Sequence, residues 1–129
     1  MAQNTSRGRL SRSAEFERVY RQGRSTANRH LVLYSFPNAT AERPRLGLSV
    51  SRKVGGAVAR NRVKRLLREA FAGAEAELSP GQDLVVVARP QARELAEREG
   101  LAGIDASLTE LIAKAGLRMG ATATPPAGE

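Results

Sequence analysis

The run Asp83–Arg89 (DLVVVAR) constrains the fold more than any other segment. Leu84, Val86 and Ala88 share one parity, and Val85 and Val87 share the other, so a strand here is apolar on both faces. Such a strand belongs inside a sheet that is covered on each side. Arg45–Ser51 (RLGLSVS) is patterned differently: Leu46, Leu48 and Val50 alternate with Gly47, Ser49 and Ser51, as in a strand with one face on the core. Leu31–Phe36 (LVLYSF) is a further strand, β-branched or aromatic at several positions and closed by Pro37 and Asn38. The stretch from Ala27 to Ser51 divides into two or three strands, and three is the expectation.

Helices fill the remainder. Ser13 can cap a helix that carries Glu15 and Glu17 in its first turn and Phe16, Val19 and Tyr20 on one face, with Gly23 as the stop. Gly55 and Gly56 separate the alternating strand from a second helix that begins near Ala57. Ser79-Pro80-Gly81 is a turn. A weak helix over Gln91–Glu99 precedes a better one over Ile104–Leu117, whose buried stripe is Ile104, Leu108, Leu111, Ile112 and Ala115. A chain of 129 residues is expected to form one domain, here residues 9–118. Residues 1–8 and 119–129 (the latter within an Ala/Pro/Thr-rich tail) are expected to be disordered.

Several function classes drop out by inventory. There is no cysteine, which removes disulfides, thiolate metal sites and cysteine nucleophiles together. No apolar run approaches the ~20 residues of a membrane span, and the polar start MAQNTSRGRLSRS lacks a secretory signal's apolar stretch. A soluble, cytoplasmic protein is expected. His30 is the single histidine, and Glu94, Glu97 and Glu99 are spaced like the solvated side of a helix. No Walker-type or dinucleotide glycine pattern occurs, so no catalytic residues are expected in this chain.

Charge is uneven. Residues 1–71 hold 16 basic and 4 acidic side chains, net +12, while residues 72–129 hold 5 basic and 9 acidic, net −4. The basic half culminates in Ser51–Phe71 (SRKVGGAVARNRVKRLLREAF). Val63, Leu66, Leu67, Ala70 and Phe71 fall at helical spacing as a core stripe. Arg60, Asn61, Lys64, Arg65 and Arg68 are expected on the opposite side, with Arg52 and Lys53 just ahead of the glycines. Glu69 is the one acid among them, whereas a merely solvated helix interleaves Glu with Lys. The face suits a polyanion, and by itself it fits RNA, DNA or an anionic membrane equally. The aromatics cluster too: Phe16 with Tyr20 on a helix, and Tyr34 with Phe36 and Val32 on one side of a strand. Each alone reads as core packing, but an aromatic-lined groove beside a basic helix suits unpaired nucleotides, which stack on any ring.

The segment Lys53–Phe71, with its Arg60-Asn61-Arg62 helix followed by Lys64-Arg65 and preceded by Gly55 and Ala57-Val58, resembles the protein subunit of bacterial ribonuclease P. The similarity extends to Arg9-Leu10, Phe16, Val19-Tyr20, Gly23-Arg24, Leu31–Tyr34, Gly47–Ser51 and Asp83–Pro90, covering roughly residues 9–117. The resemblance implies an α+β fold: a two-layer α/β sandwich of order αβββαβα with a four-stranded mixed sheet. It also implies a left-handed crossover through the basic helix, against the usual hand of such connections. It implies the activity of an endoribonuclease that removes the 5′ leader of precursor tRNA. The chemistry is carried by a catalytic RNA, and Mg²⁺ is bound mainly by that RNA and not by the protein alone. The implied partners are the catalytic RNA and precursor tRNA, with no DNA and no membrane.

By the same resemblance, Arg52, Lys53, Arg60, Asn61, Arg62, Lys64, Arg65 and Arg68 contact the catalytic RNA. Phe16, Tyr20, Val32, Tyr34 and Ser49 line a cleft for the single-stranded leader, and the protein lowers the magnesium requirement. The chain departs from the family at Gly56, where relatives often carry Lys or Asn. It departs also in its acidic Glu94–Glu99 and in a tail without basic residues after Arg118. The alternative reading is a non-enzymatic RNA chaperone or ribosome-assembly module. A membrane binder would need Val63, Leu66 and Phe71 exposed, and these are the best core candidates.

Overall fold

The computed structural model describes residues 13–38 and 42–117. In chain order the elements are α1 (Ser13–Gln22), β1 (Arg24–Ala27), β2 (Leu31–Pro37), β3 (Arg45–Val50), α2 (Ala57–Ala74), a 3₁₀ turn (Glu75–Glu77), β4 (Gln82–Ala88) and α3 (Gln91–Ala115). This is the αβββαβα order, and the strands form one mixed sheet in the order β1-β2-β4-β3. β1 with β2 and β2 with β4 are antiparallel, while β3 and β4 are parallel neighbours joined through α2. The doubly apolar strand is interior, as its sequence requires. Leu84, Val86 and Ala88 of β4 join Leu31, Leu33 and Leu46 in the main core under α2 and α3. On the other face Val85, fully buried, packs with Val19 of α1, beside Tyr34, Phe36 and Val87. The sandwich is therefore two principal layers, with α1 laid over part of the sheet's second face.

α2 begins at Ala57, and its buried residues are Val63, Leu66, Leu67, Ala70 and Phe71, the stripe read from the sequence. Fully burying side chains of this size stabilises by about 1.5–3 kcal/mol each before ordering costs. α1 turns into the sheet at Gly23, whose amide donates to the Val19 carbonyl at 2.9 Å. A Cβ on Gly23 would lie 2.4 Å from the Val19 oxygen and 2.5 Å from that of Ser35, so only glycine lets helix and strand approach this closely. The β1–β2 turn is tied to α3 through Asn28. Its Oδ1 accepts from the amides of His30 (3.0 Å) and Leu31 (2.9 Å), and its Nδ2 donates to Ser107 Oγ (2.9 Å) and the Ser107 carbonyl (3.0 Å).

Some boundaries differ from the sequence reading. Three strands precede α2, but the first is Arg24–Ala27, a polar segment held by pairing with β2 rather than by an apolar pattern. Pro37, expected to begin the loop after β2, is instead the strand's last residue. The two helices expected after Pro90 are both present as two segments of α3, separated at Gly100, where φ 60° and ψ −143° interrupt the helical backbone, and the second begins ahead of Ile104. Residues 1–8 and 119–129 and the pair Arg9-Leu10 lie outside the described residues.

Candidate nucleic-acid interface

The face of the sheet turned away from α2 and α3 is built as three rungs across β2, β4 and β3. Register places Val32 beside Val87 and Val87 beside Ser49 in the first rung. Tyr34, Val85 and Gly47 form the second, and Phe36, Asp83 and Arg45 the third. Successive rungs are ~6.7 Å apart along the strands. Val32, Tyr34 and Ser49, named from the sequence, are thus on one surface, and all three are half-buried. Phe16 and Tyr20 are positions on α1, but their side chains lie outside the described residues.

α1 stands on this face beside the second and third rungs, seated by Val19 against Val85. Polar contacts fix the third rung. Asp83 is fully buried, and Arg45 grips it in a fork, Nε to Oδ1 at 2.8 Å and Nη2 to Oδ2 at 2.9 Å. Asn38 Nδ2 donates to the same Oδ2 at 3.1 Å. Arg18 of α1 brings Nη2 to 3.8 Å from Oδ2, and its guanidinium carbon lies 5.4 Å from the centre of the Phe36 ring.

At the opposite end of the cleft, β3 runs into the segment 51–56, where Arg52 and Lys53 are exposed. Hydrogen bonds from Val54 N to the Ser51 carbonyl (3.0 Å) and from Gly55 N to the Arg52 carbonyl (3.1 Å) shape the turn into α2. The α2 cations are not one uniform face. At 3.6 residues per turn, Asn61, Arg65 and Arg68 crest the helix opposite its buried stripe, and all three are exposed. Arg60, expected on that crest, sits low on one flank and is half-buried, because the Val63–Leu67 stripe begins one turn later on nearly the same side. Its Nε donates to the Gly55 carbonyl at 3.2 Å. Lys64 follows it one turn on, also half-buried.

Arg62 lies on the other flank, exposed toward α3. There a groove of about 790 Å³ is lined by Asn61, Arg62 and Arg65 from α2 and by Arg93, Ala96 and Glu97 from α3. Among the described residues, no carboxylate forms an ion pair with Arg52, Lys53, Arg62, Lys64, Arg65 or Arg68. The acids of Glu94–Glu99 are exposed on α3, and Glu97 is held by Arg93 at 3.0 Å.

The sequence placed Phe36 among the groove aromatics but did not point to Arg45, Asp83 or Arg18 as part of the site. Arg45 and Asp83 are 38 positions apart, and nothing local couples them. The parity of Phe36 with Tyr34 was the available signal. Among the described residues no group of three or more His, Cys, Asp or Glu is placed to hold a metal ion, and no helix is long and apolar enough to cross a membrane.

Known proteins share this sequence and fold. A family model described as Ribonuclease P matches residues 5–116. The ribonuclease P protein component of Shouchella clausii is 47% identical over 107 residues, 83% of this chain and 84% of its own length. That of Geobacillus thermodenitrificans is 41% identical over 108 residues, 84% and 86% of the two chains. Among solved structures, the RNase P protein of Staphylococcus aureus superposes with a TM-score of 0.77 at 35% identity, covering 85% of this chain and 96% of that one. The RNase P protein of Thermotoga maritima gives 0.72 at 32% identity, covering 80% and 93%. With the family model spanning α1 to α3 and relatives matching over most of both lengths, this chain belongs to the ribonuclease P protein family.

Proposed function

We propose that this chain is the RNA-binding subunit of a ribonuclease P, assisting a catalytic RNA in the endonucleolytic removal of the 5′ leader from precursor tRNA in the cytoplasm. The observation that carries the reading is the junction of two surfaces. A cleft floor bearing Val32, Tyr34 and Ser49 leads, through exposed Arg52 and Lys53, directly into the unopposed cations of α2. In this reading Arg52, Lys53, Arg60, Asn61, Arg62, Lys64, Arg65 and Arg68 meet the catalytic RNA. Arg side chains suit bidentate phosphate contacts, and Asn61 can both donate to and accept from a base or ribose. Phe16, Tyr20, Val32, Tyr34 and Ser49 take the leader, whose unpaired bases stack on rings. Neither DNA nor membrane is a partner.

Mg²⁺ belongs to the RNA in this reading. The cleft carboxylate Asp83 does not fit a metal, being fully buried with both oxygens bonded to Arg45. What the protein supplies is fixed positive charge at the RNA surface, which lowers the magnesium needed to hold the complex together. Replacing Tyr34 by Ala is expected to weaken binding of leader-bearing precursor by the reconstituted enzyme by about 1–3 kcal/mol, with mature tRNA nearly unchanged. Equal losses on both RNAs would assign the ring to the core and remove the cleft from the leader's path.

A further inference from the structure

The groove between α2 and α3 holds more than a phosphate site requires. On its α2 side Arg62 and Arg65 have no acidic partner among the described residues, which suits RNA phosphates. Across from them stands Glu97, a charge that such an anion repels. Arg93 Nε donates to its Oε2 at 3.0 Å, and Oε1 accepts no hydrogen bond among the described residues. The two side chains keep 51% and 49% of their surface in water, so the pair adds little to stability and leaves the carboxylate open to the groove.

The same groove offers a seat for a base. Val58, in the first turn of α2, is 86% exposed, one of two large hydrophobic side chains left so among the described residues. It lines the groove with Ala59, Val63 and Ala96, and apolar side chains of this kind are what an unstacked base packs against. The volume of about 790 Å³ is that of a small-molecule site. The carboxylate then selects the base. Guanine presents adjacent N1–H and N2–H donors on its pairing edge, which match the two oxygens of one carboxylate. Adenine, cytosine and uracil each present a single donor group there, beside an acceptor that a carboxylate repels.

We infer that this groove holds an unpaired guanine of the catalytic RNA, its N1–H and N2–H donating to Glu97 and its flanking phosphates meeting Arg62 and Arg65. The inference rests on the catalytic-RNA reading above and adds a base-specific contact to it, which phosphate contacts do not supply.

The test uses the full chain bound to the catalytic RNA, with Glu97→Gln and, as a control, Glu94→Gln, whose side chain is exposed but lines no part of this groove. Neutralising an acid beside cations ought by charge alone to tighten RNA binding. The inference requires the opposite sign. Glu97→Gln is expected to weaken binding about tenfold with the salt slope unchanged, and Glu94→Gln to cause no weakening. Kethoxal, which attacks guanine at N1 and N2, gives the second readout. A guanine is expected to be reactive in the free RNA, protected by the natural protein and reactive again with Glu97→Gln. Binding by Glu97→Gln as tight as that of the natural protein, or tighter, would overturn the inference. Weaker binding with no guanine regaining reactivity would make Glu97 only a support for Arg93, and would overturn it as well. Either result leaves the catalytic-RNA reading intact, because the natural protein still binds. If the natural protein does not bind the catalytic RNA, that reading falls and this inference falls with it.

Discussion

Asp83 and Arg45 are not equivalent partners, although they form one ion pair. Asp83 is fully buried, whereas the Arg45 side chain keeps 27% of its surface in water. Removing Arg45 leaves a buried carboxylate without its two strongest bonds, with the Asn38 amide and the more distant Arg18 beside it, while removing the Asp83 charge leaves a guanidinium that still reaches solvent. Arg45→Ala is therefore expected to cost about 3–5 kcal/mol in urea unfolding, and Asp83→Asn distinctly less. Equal losses would mean that the pair contributes only through its geometry. At this scale the sequence was legible wherever a pattern is local. The core stripe of α2 and the common face of Val32 and Tyr34 follow from spacing alone. The half-buried Arg60 was not legible, since its place depends on where the helix rolls against the core. Nor were Asp83–Arg45 and Arg18–Phe36, which exist only after the strands are in register.

Among the elements, α1 is the separable one. Among its described side chains, it touches the sheet through Val19 and Arg18, whereas α2 and α3 share the main core. Gly23→Ala places a methyl against two carbonyl oxygens at the corner joining α1 to the sheet. The expected result is a stability loss of about 1–3 kcal/mol and weaker leader binding, with affinity for the catalytic RNA retained because α2 is untouched. A parallel loss of both affinities would show that α1 and α2 form one binding surface. Helix and strand types were readable from period, down to the start of α2 at Ala57. The polar first strand was not, because β1 is held by its partner β2 and not by its own side chains. The break of α3 at Gly100 was legible as the gap between the two helices expected there, although the second segment resumes ahead of Ile104.

Over the whole molecule, the charge division seen in the sequence becomes a division of surfaces. The cations of 51–68 are exposed or half-buried without acidic partners among the described residues, and Glu97 of α3 lines the groove across from them, while Glu94 and Glu99 lie on another side of α3 by Arg29 and His30. If about five cationic side chains meet phosphates, the logarithm of the affinity for the catalytic RNA should fall with the logarithm of salt concentration at a slope of roughly −3.5 to −4.5. A slope near zero would refute an electrostatic interface. The family and its fold could be read from Lys53–Phe71 because that segment combines a core stripe with an unusual cation order, and the comparisons bear the family out. The most direct measurement is cleavage of leader-bearing precursor tRNA at low magnesium with neither component, the protein alone, the catalytic RNA alone, and both. Cleavage only when both are present is the expected result. Cleavage by the protein alone, or no enhancement of the RNA by the protein, would contradict it.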